Sequence, residues 1–184
     1  QAIATCHQAR DRTGEGRALH LQGAAHQGLS HYEKAVECYE KSLAIRNTLK
    51  DEAGIGRLLN DLGTVNFFLN QYEEAIVFFE QALRIWQALY DRAIEARILS
   101  NLGGAYQELG RYEKAIEHYE QALTVHRDLK NRAAEGLTTS NLGEVFEIQG
   151  DHQKAIQHFE QALMIARELN DKQKEGVRLS NLGN

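Results

Sequence analysis

One pattern recurs along this chain every 40 residues without an insertion or a deletion. The four complete copies, numbered 1 to 4 below, are residues 11–50, 51–90, 91–130 and 131–170. Residues 1–10 match the end of a preceding copy and residues 171–184 restart a further one, so we expect the chain to begin inside one copy and end inside another. A repeat of this size cannot bury its apolar face alone, so the period predicts a single domain, 1–184, of stacked copies.

Several positions keep one residue type from copy to copy. The most regular columns are glycine (Gly23, Gly63, Gly103, Gly143, Gly183), alanine (Ala35, Ala75, Ala115, Ala155) and aromatic (Tyr39, Phe79, Tyr119, Phe159). In copy 2, Leu59, Leu62 and Asn66 fall on one helical face at three- and four-residue steps, and Ala75 and Phe79 do so further along. Each copy therefore predicts two amphipathic helices.

The regular columns also predict how the helices pack and where they end. Glycine inside a helix costs up to about 1 kcal/mol relative to alanine, so its recurrence predicts close approach of the aromatic residue from the second helix. Residues between the two helices, where a left-handed backbone is expected, are Ser30, Asn70, Gly110 and Gly150. Residues expected to cap the first helix of each copy are Asp11, Asp51, Asp91, Asn131 and Asp171.

The order of Leu-Gly, a downstream Tyr or Phe, then Ala, an aromatic residue and Ala resembles the tetratricopeptide repeat over essentially the whole chain. The copies are longer than the usual repeat of about 34 residues, and the chain contains no proline. The resemblance implies an all-α fold, an α-α superhelical solenoid of antiparallel helix pairs whose first helices line a concave groove. The Asn-Leu-Gly and Tyr-Glu-Lys-Ala-Ile-Glu strings are similar to those of cell-polarity adaptors that bind partner tails and of bacterial signalling-protein arms.

Composition and motifs argue against several other functions. The formal net charge is -5, whereas a nucleic-acid-binding protein needs a basic surface. The sequence has no apolar run that could span a membrane and no signal-peptide core in residues 1–10, so we expect a cytoplasmic protein. No phosphate-binding loop or His-Glu-x-x-His motif occurs, and two cysteines make neither a disulfide framework nor a zinc site. We therefore expect no enzymatic activity, cofactor or metal.

The face of each first helix opposite its Leu-Gly core is predicted to line the groove. Its candidate binding residues, copy by copy, are Arg17, His20 and Gln27; Arg57, Asn60, Thr64 and Phe67; Arg97, Ser100 and Gln107; and Ser140, Glu144 and Glu147. Asn101 and Asn141 border this stripe. The resemblance implies that an asparagine beside Leu-Gly grips the backbone of a ligand, and a structural hydrogen bond between copies is the alternative.

Arg17, Arg57 and Arg97 repeat at one position and predict a ladder that binds an acidic segment, because the guanidinium fork suits carboxylates. The alternative is that each arginine pairs with a nearby carboxylate, such as Glu15, Glu95 or Asp61. Copy 4 has Leu137 at this position, and together with Glu144 and Glu147 this predicts a more acidic stripe there; random drift of surface residues between copies is the alternative. Phe67 is either an apolar anchor for a ligand or a space-filling neighbour of Asn66.

These features favour a protein-protein interaction scaffold that binds an extended peptide, and two alternatives remain. The first is end-to-end self-association through core-type residues such as Leu179 and Leu182. The second is a ligand-sensing arm of a larger bacterial signalling or regulatory enzyme.

Overall fold

A computed structural model of the protein describes residues 11–169 and 180–181. Residues 11–169 form eight helices: α1 Arg12–Gly28, α2 Tyr32–Leu49, α3 Glu52–Phe68, α4 Tyr72–Ala88, α5 Arg92–Glu108, α6 Tyr112–Asp128, α7 Arg132–Ile148 and α8 His152–Glu168. No strand occurs in the ranges described. Each complete copy supplies two helices, as predicted, and the all-α fold of paired helices is confirmed. The incomplete copies at 1–10 and 171–184 lie outside the described residues, apart from the helical residues 180–181.

The chain divides into two compact units, residues 1–90 and 91–184. In the first unit α1 packs against α2, α3 against α4, and α2 against α3. In the second unit α5 packs against α6, α7 against α8, and α6 against α7. Each unit therefore contains two helix pairs, stacked through the second helix of one pair and the first helix of the next.

Polar side chains start the first helix of each pair where the sequence predicted caps. The carboxylates of Asp11, Asp51 and Asp91 accept a hydrogen bond from the backbone N–H three residues later, and the Asn131 amide oxygen does the same. Such a bond satisfies one of the four N–H groups that a helix start leaves without a partner. The expected cap at Asp171 lies outside the described residues.

The connections between helices need a left-handed backbone, which Ser30, Asn70, Gly110 and Gly150 adopt as predicted. The structure adds three such positions between copies, Lys50, Tyr90 and Lys130, with φ of 54°, 57° and 54°. Residues with a Cβ atom are strained in the left-handed region of the backbone, so the identities of these three residues did not predict this conformation.

The glycine column and the aromatic column meet in the core, as predicted. A Cβ atom placed on Gly63 would lie 2.6 Å from the ring of Phe79, and one placed on Gly23 would lie 2.5 Å from the ring of Tyr39. Both rings are almost fully buried. The missing side chain thus lets the paired helices approach until the aromatic ring lies directly against the backbone, which outweighs the cost of glycine in a helix.

Candidate functional site

A cleft in the first unit lies at the N-terminal halves of α1 and α3 and beside the end of α2. It has a volume of about 460 Å³ and is lined by Thr13, Arg17, His20, Leu21, Arg46, Asp51 and Arg57. We call it the basic cleft, because three arginines and one aspartate line it. Two of the arginines belong to the predicted ladder, whereas Arg46, in the last turn of α2, was not among the predicted site residues.

Arg46 is held in place by the residue that starts the next helix. Its Nη1 donates to Asp51 Oδ2, while Asp51 Oδ1 accepts from the backbone N–H of Gly54 at 3.0 Å. The Gly54 hydrogen bond and the Arg46 guanidinium lower the pKa of the Asp51 carboxyl. Arg46 is buried, and its Nε has no hydrogen-bond partner among the described residues. The helix cap thereby fixes a cation at the wall of the cleft.

Arg17 and Arg57 differ from Arg46, because both are exposed at the surface. Within residues 11–169 no salt bridge joins either of them to a carboxylate, and the same holds for Arg97 in the second unit. Arg57 lies over the ring of Trp86, 5.9 Å from its centroid. The intramolecular pairing considered as an alternative for the ladder is therefore not observed in this part of the chain.

Two of the three carboxylates proposed as internal partners of the ladder, Asp61 and Glu15, have other partners. Asp61 Oδ2 accepts from His20 Nε2 at 2.7 Å, and Asp61 Oδ1 accepts from Asn60 Nδ2 at 3.3 Å. Glu15 pairs with Arg12 at 3.4 Å. As a result, Arg17 and Arg57 keep their N–H donors available to a ligand.

A second cleft of the first unit lies beyond the His20–Asp61 hydrogen bond, at the C-terminal halves of α1 and α3. Its volume is about 420 Å³, and it is lined by Ala24, Gln27, Gly28, Tyr32, Tyr39, Asp61 and Phe68. The rings of Tyr32 and Phe68 are stacked, with centroids 5.5 Å apart and an interplanar angle of 7°. We call this the aromatic cleft. Tyr39 donates its hydroxyl hydrogen to Gln27 Oε1 at 2.7 Å, which fixes the amide at the edge of the cleft.

Phe68, and not the predicted Phe67, is the phenylalanine that lines the aromatic cleft. Phe67 is half-buried and packs edge-on against Phe68 and Tyr72, with centroid distances of 6.0 Å and 5.3 Å. Its contacts fit the space-filling interpretation. Asn66 is buried beside it and donates to the backbone oxygen of Leu62 at 2.8 Å.

The second unit has a cleft at the positions that match the basic cleft. It has a volume of about 260 Å³ and is lined by Ala93, Arg97, Ser100, Asn101, His126, Asn131, Ala134, Leu137, Thr138 and Asn141. Eighty positions separate the matching residues, so His126, Asn131 and Leu137 stand where the basic cleft has Arg46, Asp51 and Arg57. We call this the neutral cleft, because Asn131 and Leu137 are uncharged where the basic cleft has Asp51 and Arg57, and Arg97 is its one remaining arginine.

His126 is one of two buried residues that line the neutral cleft, with Thr138. Its Nδ1 has no hydrogen-bond partner within the described part of the chain, and burial lowers its pKa, while the negative charge of Glu135 acts in the opposite direction. Ser100 and Thr138 line the same cleft with their hydroxyl oxygens 3.2 Å apart. The neutral cleft thus has an imidazole and an apolar side chain where the basic cleft has the guanidinium groups of Arg46 and Arg57.

Three predicted residues of the second unit surround the hydroxyl of Tyr119. Tyr119 donates to Gln107 Oε1 at 3.1 Å, and Asn141 also hydrogen-bonds to this tyrosine. Burial raises the pKa of Glu144, and a hydrogen bond with Gln107 partly offsets that effect. These side chains satisfy each other inside the unit. Their predicted contact with a ligand stays a prediction.

The remaining predicted residues divide by exposure. Asn60 and Ser140 are buried, each 6% exposed, and Thr64 donates to the backbone oxygen of Asn60 at 2.9 Å. Asn101 lines the neutral cleft, and Glu147 is exposed. Residues one position further along, Leu21, Asp61, Asn101 and Asn141, all line the clefts, whereas from the predicted column of His20, Asn60, Ser100 and Ser140 only His20 and Ser100 do. The recurring asparagine of the Asn-Leu-Gly strings was the signal for this column.

Two kinds of feature are absent from the described residues. No group of three or more His, Cys, Asp or Glu side chains there is arranged to hold a metal ion. Likewise, none of the described helices has the length and apolar character needed to cross a membrane.

Comparison with known proteins identifies the repeat. The profile of the family described as tetratricopeptide repeat matches residues 14–88, 54–128 and 94–168. No curated protein sequence matches significantly.

Three solved structures illustrate the similarity of fold. BtubC (BKLC) from P. vanneervenii is 26% identical, with a TM-score of 0.81 over 88% of this chain and 66% of that one. A signal-transduction ATPase with a tetratricopeptide repeat sensor from Pyrococcus horikoshii is 19% identical, with a TM-score of 0.86 over 94% and 27%. Aspartyl phosphate phosphatase F from Bacillus subtilis is 17% identical, with a TM-score of 0.85 over 99% and 47%.

The chain spans just under two thirds of the first of these proteins and less than half of the other two. The three overlapping matches of the family profile together cover residues 14 to 168, which include all of the eight helices except the first two residues of α1. The chain therefore belongs to the tetratricopeptide repeat family.

Proposed function

We propose that this chain is a non-catalytic protein-interaction scaffold whose basic cleft binds an acidic side chain of an extended partner segment. One observation carries the proposal: Arg17 and Arg57 are exposed beside the basic cleft and form no salt bridge with the carboxylates of residues 11–169. Tetratricopeptide repeats are generally protein-interaction scaffolds, which supports the broader part of the proposal. We expect the scaffold to act in the cytoplasm.

The chemistry of the cleft favours a carboxylate as its ligand. Arg17 and Arg57 project planar N–H donors that can bind carboxylate oxygens in pairs. Arg46 adds a fixed positive charge, although Asp51 neutralises part of it. A fully exposed ion pair contributes about 0–1 kcal/mol, whereas a hydrogen bond to a charged group in a more enclosed site contributes about 1.5–3 kcal/mol. Two such arginines therefore account for a weak but measurable interaction.

The test is a titration with a synthetic peptide that carries a single glutamate in a Gly/Ser/Thr background, followed by NMR chemical-shift changes. We expect shifts for residues of the basic cleft and a loss of affinity of about tenfold or more in Arg17→Ala/Arg57→Ala at low salt. The same peptide with glutamine in place of glutamate should bind the wild-type protein no more tightly than the glutamate peptide binds the double variant.

A matched control removes the same charge elsewhere. Arg84 and Arg111 are exposed, and neither lines the basic cleft. The variant Arg84→Ala/Arg111→Ala should keep wild-type affinity for the glutamate peptide. Equal losses in the two double variants would mean that net charge, and not the cleft, attracts the peptide, and the proposal would fail.

Two other roles remain predictions. Self-association was expected to involve Leu179 and Leu182, which lie outside the described residues. The second is a ligand-sensing arm; the signal-transduction ATPase from Pyrococcus horikoshii has a tetratricopeptide repeat sensor, and the likeness to it at 19% identity concerns the fold alone. Sequencing the complete parent gene tests this role, since a gene that encodes only repeats would exclude it.

A further inference from the structure

The basic cleft and the aromatic cleft open on one face of the first unit. On α1 the basic cleft includes Arg17 and His20, and the aromatic cleft continues with Ala24 and Gln27. These four residues follow one another at steps of three or four, so they lie on one side of the helix. An extended segment bound along this side would meet both clefts.

The His20–Asp61 hydrogen bond lies between the two clefts. His20 lines the basic cleft and Asp61 lines the aromatic cleft, and the 2.7 Å bond joins α1 to α3 at the boundary. A side chain in one cleft is therefore separated from a side chain in the other by a fixed pair of residues. The two clefts are distinct subsites.

Helix geometry gives the spacing between the subsites. On α1 the residues lining the basic cleft centre near residue 18 and those lining the aromatic cleft near residue 26. Eight residues at about 1.5 Å each separate the centres by about 12 Å. An extended peptide advances about 3.3 Å per residue, so about four of its residues cover this distance. Since side chains alternate in an extended strand, residues i and i+4 point to the same side and can enter both clefts.

The two clefts prefer different side chains. In the stacked pair of Tyr32 and Phe68, Phe68 is 51% exposed and offers an aromatic surface against which another ring can pack. The Asp61 carboxylate repels an acidic side chain from this cleft. An acidic residue therefore belongs in the basic cleft and an aromatic residue in the aromatic cleft.

We propose that the first unit recognises an extended partner segment that carries an acidic residue and an aromatic residue four positions apart. This inference rests on the proposed function, because it adds a second subsite to the basic cleft. The charge of the basic cleft and the stacked rings of the aromatic cleft select the two residue types, and their separation selects the spacing.

The test is a set of synthetic peptides in a Gly/Ser/Thr background, with affinity measured by NMR titration or calorimetry. One peptide has glutamate and phenylalanine four positions apart, and two others place them two and six positions apart, which keeps both side chains on one side. A fourth peptide has glutamate alone, and a fifth has lysine in place of phenylalanine. We expect the four-position peptide to bind about threefold to tenfold more tightly than the others.

Variants of the two clefts separate this inference from the proposed function. Phe68→Ala should abolish the preference for the four-position peptide and leave the affinity for the glutamate-only peptide unchanged. Arg17→Ala/Arg57→Ala should weaken binding of every glutamate peptide. A circular-dichroism melting curve confirms that each variant is folded, and Tyr32→Leu serves as a second variant of the aromatic cleft.

Four outcomes contradict the inference. Equal affinity at all spacings, or no effect of both Phe68→Ala and Tyr32→Leu on the spacing preference, would remove the aromatic subsite while leaving the proposed function intact. Tighter binding of the lysine peptide would assign the second cleft to a basic side chain, which pairs with Asp61. If no peptide responds to the loss of Arg17 and Arg57, the proposed function itself fails.

Discussion

His20 donates from Nε2 to the Asp61 carboxylate at 2.7 Å, across 41 positions of sequence. The two residues come from the first helices of copies 1 and 2, so the bond links neighbouring copies within the first unit. Both side chains are partly exposed, and their position between the basic and aromatic clefts gives the bond a role in shaping the candidate site.

His20→Ala should destabilise the first unit modestly. The lost bond joins a carboxylate to an imidazole at a partly exposed position, so we expect the free energy of unfolding to fall by about 0.5–1.5 kcal/mol. Urea unfolding monitored by circular dichroism measures the change. His152→Ala, which alters an exposed histidine at the start of α8, should change stability by less than about 0.5 kcal/mol. Similar effects of the two substitutions would argue against a stabilising role for the bond.

Gly63→Ala should destabilise the protein even though alanine favours helices. Its Cβ would lie 2.6 Å from the Phe79 ring, which is almost fully buried and cannot move aside freely. Overpacking of this kind costs about 1–3 kcal/mol, whereas the gain in helix propensity is at most about 1 kcal/mol. Urea unfolding should therefore report a net loss.

Gly28→Ala is the matched control for the glycine column. Gly28 is the last residue of α1, and a Cβ atom there would meet nothing within 4 Å. We expect no loss of stability from this substitution. A stabilised Gly63→Ala variant would contradict the close packing of the glycine and aromatic columns.

Stability should fall as the pH is lowered from about 7.5 to about 5. Burial lowers the pKa of His126 and of His158 below the ordinary value of 6.5, so the folded protein binds fewer protons than the unfolded chain in this range. The stabilisation that these two histidines contribute is fully present above pH 6.5. It is lost as the pH falls from 6.5 toward their folded-state pKa values. Urea unfolding at several pH values measures the slope.

The variant His126→Gln isolates one of these two histidines. It removes the titrating group, so the loss of stability between pH 7.5 and pH 5 should become smaller than in the wild type. His152→Gln, at an exposed site, should leave the slope unchanged. An unchanged slope in His126→Gln would mean that His126 has the same pKa in the folded and unfolded states.

Asp51→Asn should separate the two roles of Asp51. Asparagine is also a good N-cap, as Asn131 demonstrates at the matching position, so α3 should keep its start. Arg46, however, would lose its carboxylate partner while remaining buried. We expect the free energy of unfolding to fall by about 1–3 kcal/mol, which is less than for a fully buried ion pair because Asp51 is partly exposed. The glutamate peptide should bind more tightly, since the basic cleft loses its negative charge. Weaker binding would mean that Asp51 positions Arg46 for the ligand.

Exchanging residues between matching positions should transfer affinity for acidic peptides. Arg57→Leu gives the basic cleft the residue found in the neutral cleft and should weaken binding of the glutamate peptide by several-fold and reduce its dependence on salt. Leu137→Arg adds a second arginine beside the neutral cleft, where Leu137 is 55% exposed, and should produce new chemical-shift changes there. NMR titrations at low and high salt test both changes. Unaltered binding in both variants would exclude position 57 and position 137 as determinants of charge selectivity.

Much of the fold follows from the sequence alone, because it depends on local physics repeated in register. The 40-residue period, the polar residues at helix starts such as Asp51, and the left-handed positions such as Gly110 defined the helix pairs. Pairing of Gly63 with Phe79 was also predictable, since an unfavourable glycine that recurs in a helix needs a packing partner. Each of these features is set by a residue and its near neighbours.

The composition of the clefts depended on tertiary structure. The apolar stripe of an amphipathic helix is about 100° wide or wider, and successive side chains are also about 100° apart around the helix axis. Periodicity therefore places a groove-facing column only to within one residue. Helix packing decided that Asp61 and Phe68 line the clefts where Asn60 and Phe67 were predicted. It also brought Arg46, from a second helix, beside Arg17 and Arg57. The sequence by itself determined which helices form and which columns are buried, and the angles between packed helices decided which charges meet.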